Sequence, residues 1–101
     1  MTVYVGDRTI DGISVMADGQ PLDTYEDVKT FSPNGFEWSY EGPEPTQLAF
    51  ALLVDHLGDG RRAAALAERF MRDVVANFQN EWEMSTADID RVLASYGAAA
   101  A

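Results

Sequence analysis

Cysteine is absent from the 101 residues, which excludes disulfides, thiolate metal ligation and thiol nucleophiles together. Histidine occurs once, at His56. No HExxH zinc motif or G-x-S-x-G nucleophile elbow accompanies it. Lysine also occurs once, at Lys29, and bases as a group are scarce: seven against seventeen acids, for a net charge of −10. Phosphate contacts need a basic face, so direct nucleic-acid binding is disfavoured. No apolar run approaches the ~20 residues of a membrane span. The opening MTVYVGDRT has no basic region leading into an apolar core, so no signal peptide is expected there. The expectation is a soluble, cytoplasmic protein.

What is present is an ordinary globular composition, 47% apolar, that predicts one domain over 1–97 and a frayed tail over 98–101. The stretch Gln47–Leu57, QLAFALLVDHL, is apolar without a break from Leu48 to Val54. Its alanines and leucines, Pro45 in a first turn and Gly58 at the stop predict a central helix that other elements must cover. Before it, Thr2–Val5 and Ile10–Ala17 read as a hairpin around a Gly6–Thr9 turn, with Val3, Val5, Ile13 and Val15 inward and Tyr4, Ile10 and Met16 on the other face. Asp18-Gly19 with Pro21 closes the second strand, and Tyr25–Phe31 reads as irregular. Phe36–Tyr40, FEWSY, alternates strictly and predicts a third strand with Glu37 and Glu41 on its wet face.

After the central helix, Leu66, Phe70, Val74 and Phe78 recur every four residues, beside Ala63, Ala67 and Met71. They predict a second helix over 59–78, antiparallel to the first across Gly58–Gly60, with Glu68 and Arg72 paired on its wet side. Glu81–Met84, EWEM, fits a short edge strand with Trp82 inward and Glu81 and Glu83 outward. Ser85 with Asp88 resembles a capping box starting a helix that carries Ile89, Val92, Leu93 and Tyr96 and stops at Gly97. The fold class is α+β: a small antiparallel sheet of three or four strands with three helices, two of them a hairpin packed on one sheet face.

The opening GDRTIDGISV, the DGQPLD turn and above all GFEWSYEGPEPTQLAFALLVDHLGD resemble a family of small prokaryotic, archaeal and phage-related proteins, the domain of unknown function 6166. The resemblance runs from Val3 to about Leu93. It implies a mobile-element or haloarchaeal background and transfers no catalytic residue.

His56 beside Asp55 or Glu37 could be a general base or metal ligand, but its place in a helix's last turn is explained by the dipole there. Glu37, Glu41, Glu81 and Glu83 could hold a divalent cation or act as a glycosidase pair, yet no loop has EF-hand spacing. Phe36, Trp38, Tyr40 and Trp82 could stack bases or sugars; as a stripe interleaved with acids they read as core. The phosphate field of the helix behind GPEP is already filled by Glu41 and Glu44. Arg61, Arg62, Arg69 and Arg72 are balanced by acids nearby.

The acidity itself remains, and it is uneven. Residues 1–45 carry nine acids and two bases, residues 46–78 four of each, and residues 79–101 four acids and one base. The reading adopted is a non-enzymatic acidic binding protein without cofactor or metal. Its Asp7, Asp11, Glu37, Glu41, Glu44, Glu81 and Glu83 meet a basic protein surface, most specifically a nucleic-acid-binding defence protein inhibited by phosphate mimicry of the anti-CRISPR or anti-restriction type. The alternatives are a homodimeric module using Tyr4, Ile10 and Met16, with acidity serving solubility or salt adaptation, and a small metal-dependent enzyme.

Overall fold

The computed structural model describes residues 1–97; the tail expected at 98–101 lies outside the described residues. The chain order is β1 (Val3–Thr9), β2 (Gly12–Ala17), β3 (Gln20–Pro21), α1 (Pro43–Leu57), α2 (Gly60–Asp73), a 3-10 turn (Val75–Asn77), β4 (Glu81–Ser85) and α3 (Thr86–Ser95). The four strands form one antiparallel sheet in the order β3-β2-β1-β4, so the class is α+β.

The central helix is as apolar as its sequence demands. Every residue from Pro45 to Val54 is buried, and Gly58 closes α1 at φ 68° with its N–H on the Val54 carbonyl at 2.8 Å. Thr46 and Gln47 are the polar residues of that run, and Gln47 is fully buried and fully satisfied. Its Oε1 accepts from the N–H groups of Phe31 (2.6 Å) and Ser32 (3.1 Å), and its Nε2 donates to the carbonyls of Thr24 (2.8 Å) and Lys29 (3.2 Å). One side chain thereby supplies partners to a long segment, residues 22–42, that has no ladder of its own.

α2 touches α1 and follows it after only Gly58 and Asp59. Asp59 is outside the helix as its N-cap, its carboxylate accepting from Arg62 N–H at 3.1 Å. The helix expected to reach Phe78 stops at Asp73. Val74 leaves helical φ/ψ, and the Asn77 amide takes the Asp73 carbonyl at 3.1 Å. The Glu68–Arg72 pair is present at 3.7 Å. Ser85 and Asp88 form the capping box in full, and Gly97 follows α3 at φ 71°.

Two expectations about strands are corrected. Phe36–Tyr40 is not a strand: Ser39 sits at φ 79°, its N–H bonds to Val75 O at 3.2 Å, and Arg8 takes the Trp38 carbonyl at 2.9 Å. The alternation does not hold either: with Ser39 at positive φ between them, Trp38 is buried and Tyr40 is exposed. In the hairpin, β1 continues through Gly6–Thr9, and the turn is Ile10–Asp11. The inward face of β1 is Tyr4 and Gly6, whereas Val5 points out. Tyr4 is tolerated inside because its hydroxyl reaches Asp55 Oδ2 on α1 at 2.7 Å. That contact also places the inner face of the sheet toward α1. The face proposed for a homodimer through Tyr4, Ile10 and Met16 therefore does not form, since Tyr4 is fully buried.

Candidate functional site

β4 pairs with β1 so that Asp7 faces Glu81, Gly6 faces Trp82 and Val5 faces Glu83. Side chains alternate across a strand, so Val5, Asp7, Glu81 and Glu83 share the face opposite Gly6 and Trp82. Trp82 is drawn inward by its neighbours: it stacks on Phe78 at 4.3 Å and meets Trp38 edge-on at 5.8 Å. The carboxylates must then stand outward. Across β2 the same face continues with Ser14 opposite Asp7 and Met16 opposite Val5. A shallow open hollow lies between these strands, lined by Val5, Gly6, Asp7, Glu81, Trp82 and Glu83.

The hydrogen-bond parity sharpens the geometry. Thr86 N–H bonds to Thr2 O, and Asp18 N–H to Val3 O, both at 2.9 Å. Even-numbered residues of β1 therefore bond to β4 and odd-numbered ones to β2. Asp7 and Glu81 form a non-hydrogen-bonded cross-strand pair, the kind whose Cα atoms come within about 4.5 Å. Two like charges in that position oppose folding. Neither they nor Glu83 has a basic side chain in ion-pairing range among the described residues.

The other four residues singled out from sequence are not brought to this face. Glu37 is ion-paired to Arg8 at 2.5 Å, beside the guanidinium's contact with the Trp38 ring at 4.8 Å. Glu44 accepts from the hydroxyls of Ser32 (3.0 Å) and Tyr40 (3.2 Å) at the start of α1. Asp11 is at the hairpin tip, and Glu41 is exposed ahead of α1. Of the remaining acids, Asp73 and Asp88 pair with Arg69 and Arg91, and Asp18 and Asp23 bond backbone N–H groups.

His56 meets neither Asp55 nor Glu37. Its Nε2 lies 2.5 Å from Asp90 of α3. Asp55 instead holds two phenols, accepting from Tyr4 at 2.7 Å and from Tyr25 at 2.8 Å. Burial, then the bond to Asp55 and its charge, raise both hydroxyls, Tyr25 to about 12 and Tyr4 further. Tyr96 is likewise pushed up to about 12 by burial and by Asp73. This Tyr–Asp–Tyr cluster was not visible in the sequence, where the three residues lie far apart with no motif joining them. The described residues contain no group of three or more Asp, Glu or His side chains arranged to hold a metal ion. No described helix is long and apolar enough to cross a membrane.

Residues 4–95 match the family of unknown function DUF6166, which covers the sheet apart from Val3, all three helices and the connecting segment. The chain belongs to DUF6166. The match begins at Tyr4 and ends at Ser95, close to the limits that the resemblance of the GFEWSY and QLAFALLVDHL segments implied. No curated protein and no solved structure matches the chain. As a member of DUF6166 the chain inherits no activity, and its function is argued from its own surface.

Proposed function

We propose that this protein is a non-enzymatic binding module whose outer sheet face, carrying Asp7, Glu81 and Glu83, engages a basic surface of a nucleic-acid-handling protein. The observation that carries this reading is the cross-strand Asp7–Glu81 pair with Glu83 beside it, none of the three in an ion pair among the described residues. A like-charged cross-strand pair costs stability in the free protein. A basic partner converts that cost into complementarity. In its most specific form the carboxylates stand where phosphates of DNA or RNA would stand, and the protein inhibits a defence enzyme of the CRISPR or restriction kind.

The proposed site is compact. Glu37 and Glu44 are engaged within the fold and drop out of the interface, and Asp11 at the hairpin tip is its outer limit. The test is competition. A partner captured by the tagged protein should be displaced by duplex DNA or by RNA, and D7N/E81Q/E83Q should capture much less of it. A partner held equally by the triple variant, or indifferent to nucleic acid, contradicts the proposal.

A further inference from the structure

β4 is the outermost strand of the sheet, and its free side is a strand edge. The opposite edge is blunted: β3 is two residues long and ends in Pro21, which has no N–H to offer. The hydrogen-bond parity of β1 and β4 turns the N–H and C=O groups of Trp82 and Met84 toward β1. Those of Glu81 and Glu83 then point away from the sheet, and no other described element pairs with them. The edge closes at Ser85, whose N–H is taken by Asp88 Oδ2 at 2.9 Å. What remains open is one short rung set, flanked by two exposed carboxylates.

We propose that this edge takes up an extended basic segment of a partner protein as a fifth strand, a reading that rests on the acidic-face proposal and specifies how the partner is held. A segment pairing antiparallel with β4 would place its residues opposite Glu81 and Glu83 in hydrogen-bonded positions, with side chains on the acidic outer face. Opposite charges directly across a pair stabilise it. The occupant therefore carries Lys or Arg at alternate positions, with apolar residues between them turned toward the side of Trp82 and Phe78. A second copy of this chain is the wrong occupant. Pairing β4 with β4 would oppose glutamate to glutamate, the device by which natural edges resist self-association.

The probe is a blocked synthetic peptide alternating lysine with valine, titrated into the full chain at low ionic strength. Two controls accompany it: a peptide of the same composition with its lysines clustered, and the alternating peptide N-methylated at its lysines. The alternating peptide should bind best and slow hydrogen exchange at the Glu81 and Glu83 amides, and N-methylation should abolish binding. E81Q and E83Q, both at exposed positions, should each weaken it about two- to fivefold, as expected for solvent-accessible ion pairs. Equal binding of all three peptides, with those amides unprotected, overturns strand addition while leaving the acidic face as a charge-driven site. Binding of none of them overturns both.

Discussion

The indole of Trp82 lies against the bare backbone of Gly6, its directly opposed residue across β4 and β1. A Cβ at Gly6 would fall 2.1 Å from Trp82 Nε1. The indole has no room to retreat, being stacked on Phe78 and set edge-on to Trp38. The same contact fixes which face of β4 is wet, so Gly6 indirectly aims Glu81 and Glu83.

Gly6→Ala should therefore behave as overpacking, with a loss of about 1–3 kcal/mol in urea unfolding. The tryptophan fluorescence of the folded state should change with it. Unchanged stability would mean that Trp82 moves freely, and the outward aim of the two glutamates would lose its support.

Gln47 gives the second prediction. Gln47→Leu keeps the volume roughly and removes every partner of Phe31 N–H, Ser32 N–H, Thr24 C=O and Lys29 C=O that the side chain supplies. Part of the 22–42 segment would then have to open to water. A loss of about 2–5 kcal/mol is expected, with faster amide exchange concentrated at residues 24–32. A variant as stable as the parent would contradict the role assigned to this side chain.

Alkaline pH supplies the third. Tyr25 and Tyr96 are raised to about 12, by burial first and then by Asp55 and Asp73 respectively. Their folded pKa values lie above the ordinary phenol value of 10, so the folded state holds its protons longer than the unfolded chain. The stabilisation is complete below pH 10 and is lost as pH rises toward 12. Denaturant midpoints should be flat approaching that window and fall through it, and Tyr25→Phe should remove part of the fall. A midpoint that rises in that range would contradict the sign.

The fourth concerns the capping box. Ser85 Oγ accepts from Asp88 N–H at 3.2 Å and Asp88 Oδ2 accepts from Ser85 N–H at 2.9 Å. Those bonds, then Arg91, hold the Asp88 carboxyl below its ordinary value. Its contribution is present above the carboxylate range and fades as pH falls through it. Ser85→Ala should cost about 0.5–2 kcal/mol at neutral pH. It should also reduce the acid sensitivity of α3 as read by circular dichroism; full retention of both would contradict the cap.

What was legible in the sequence was whatever a local signal decides. The apolar run of α1, its glycine stop, the Ser85–Asp88 box and the inward Trp82 of EWEM each need only neighbours a few residues away, and each is present. The failures share a different cause. Gly6 reads as a turn residue until the indole from the far end of the chain is placed against it. FEWSY alternates like a strand, but a strand needs an edge, and Arg8 and the Val75 carbonyl claim its backbone first. Helix-like spacing to Phe78 survives the end of α2 at Asp73 because Phe78 is wanted for stacking on Trp82. At the site, Asp7, Glu81 and Glu83 converge because strand register puts them there, whereas Glu37 and Glu44 were lost to an arginine and two hydroxyls that charge counting does not see.

Acidity as habitat adaptation and acidity as recognition also separate in solution. A chain acidic only for salt tolerance should unfold at low ionic strength and gain stability in molar salt across its whole surface. On the recognition reading the Asp7–Glu81 pair is a local source of repulsion, so D7N or E81Q alone should stabilise the free protein and reduce its response to salt. A salt response undiminished in both variants would favour habitat.

The most direct measurement of the central claim is the affinity of the parent and of D7N/E81Q/E83Q for one captured basic partner, followed across ionic strength. The account predicts tight binding at low salt that weakens steeply as salt rises, and a triple variant that binds weakly with a nearly flat salt dependence. Equal affinities with equal salt dependence would show that the outer sheet face is not where the partner docks.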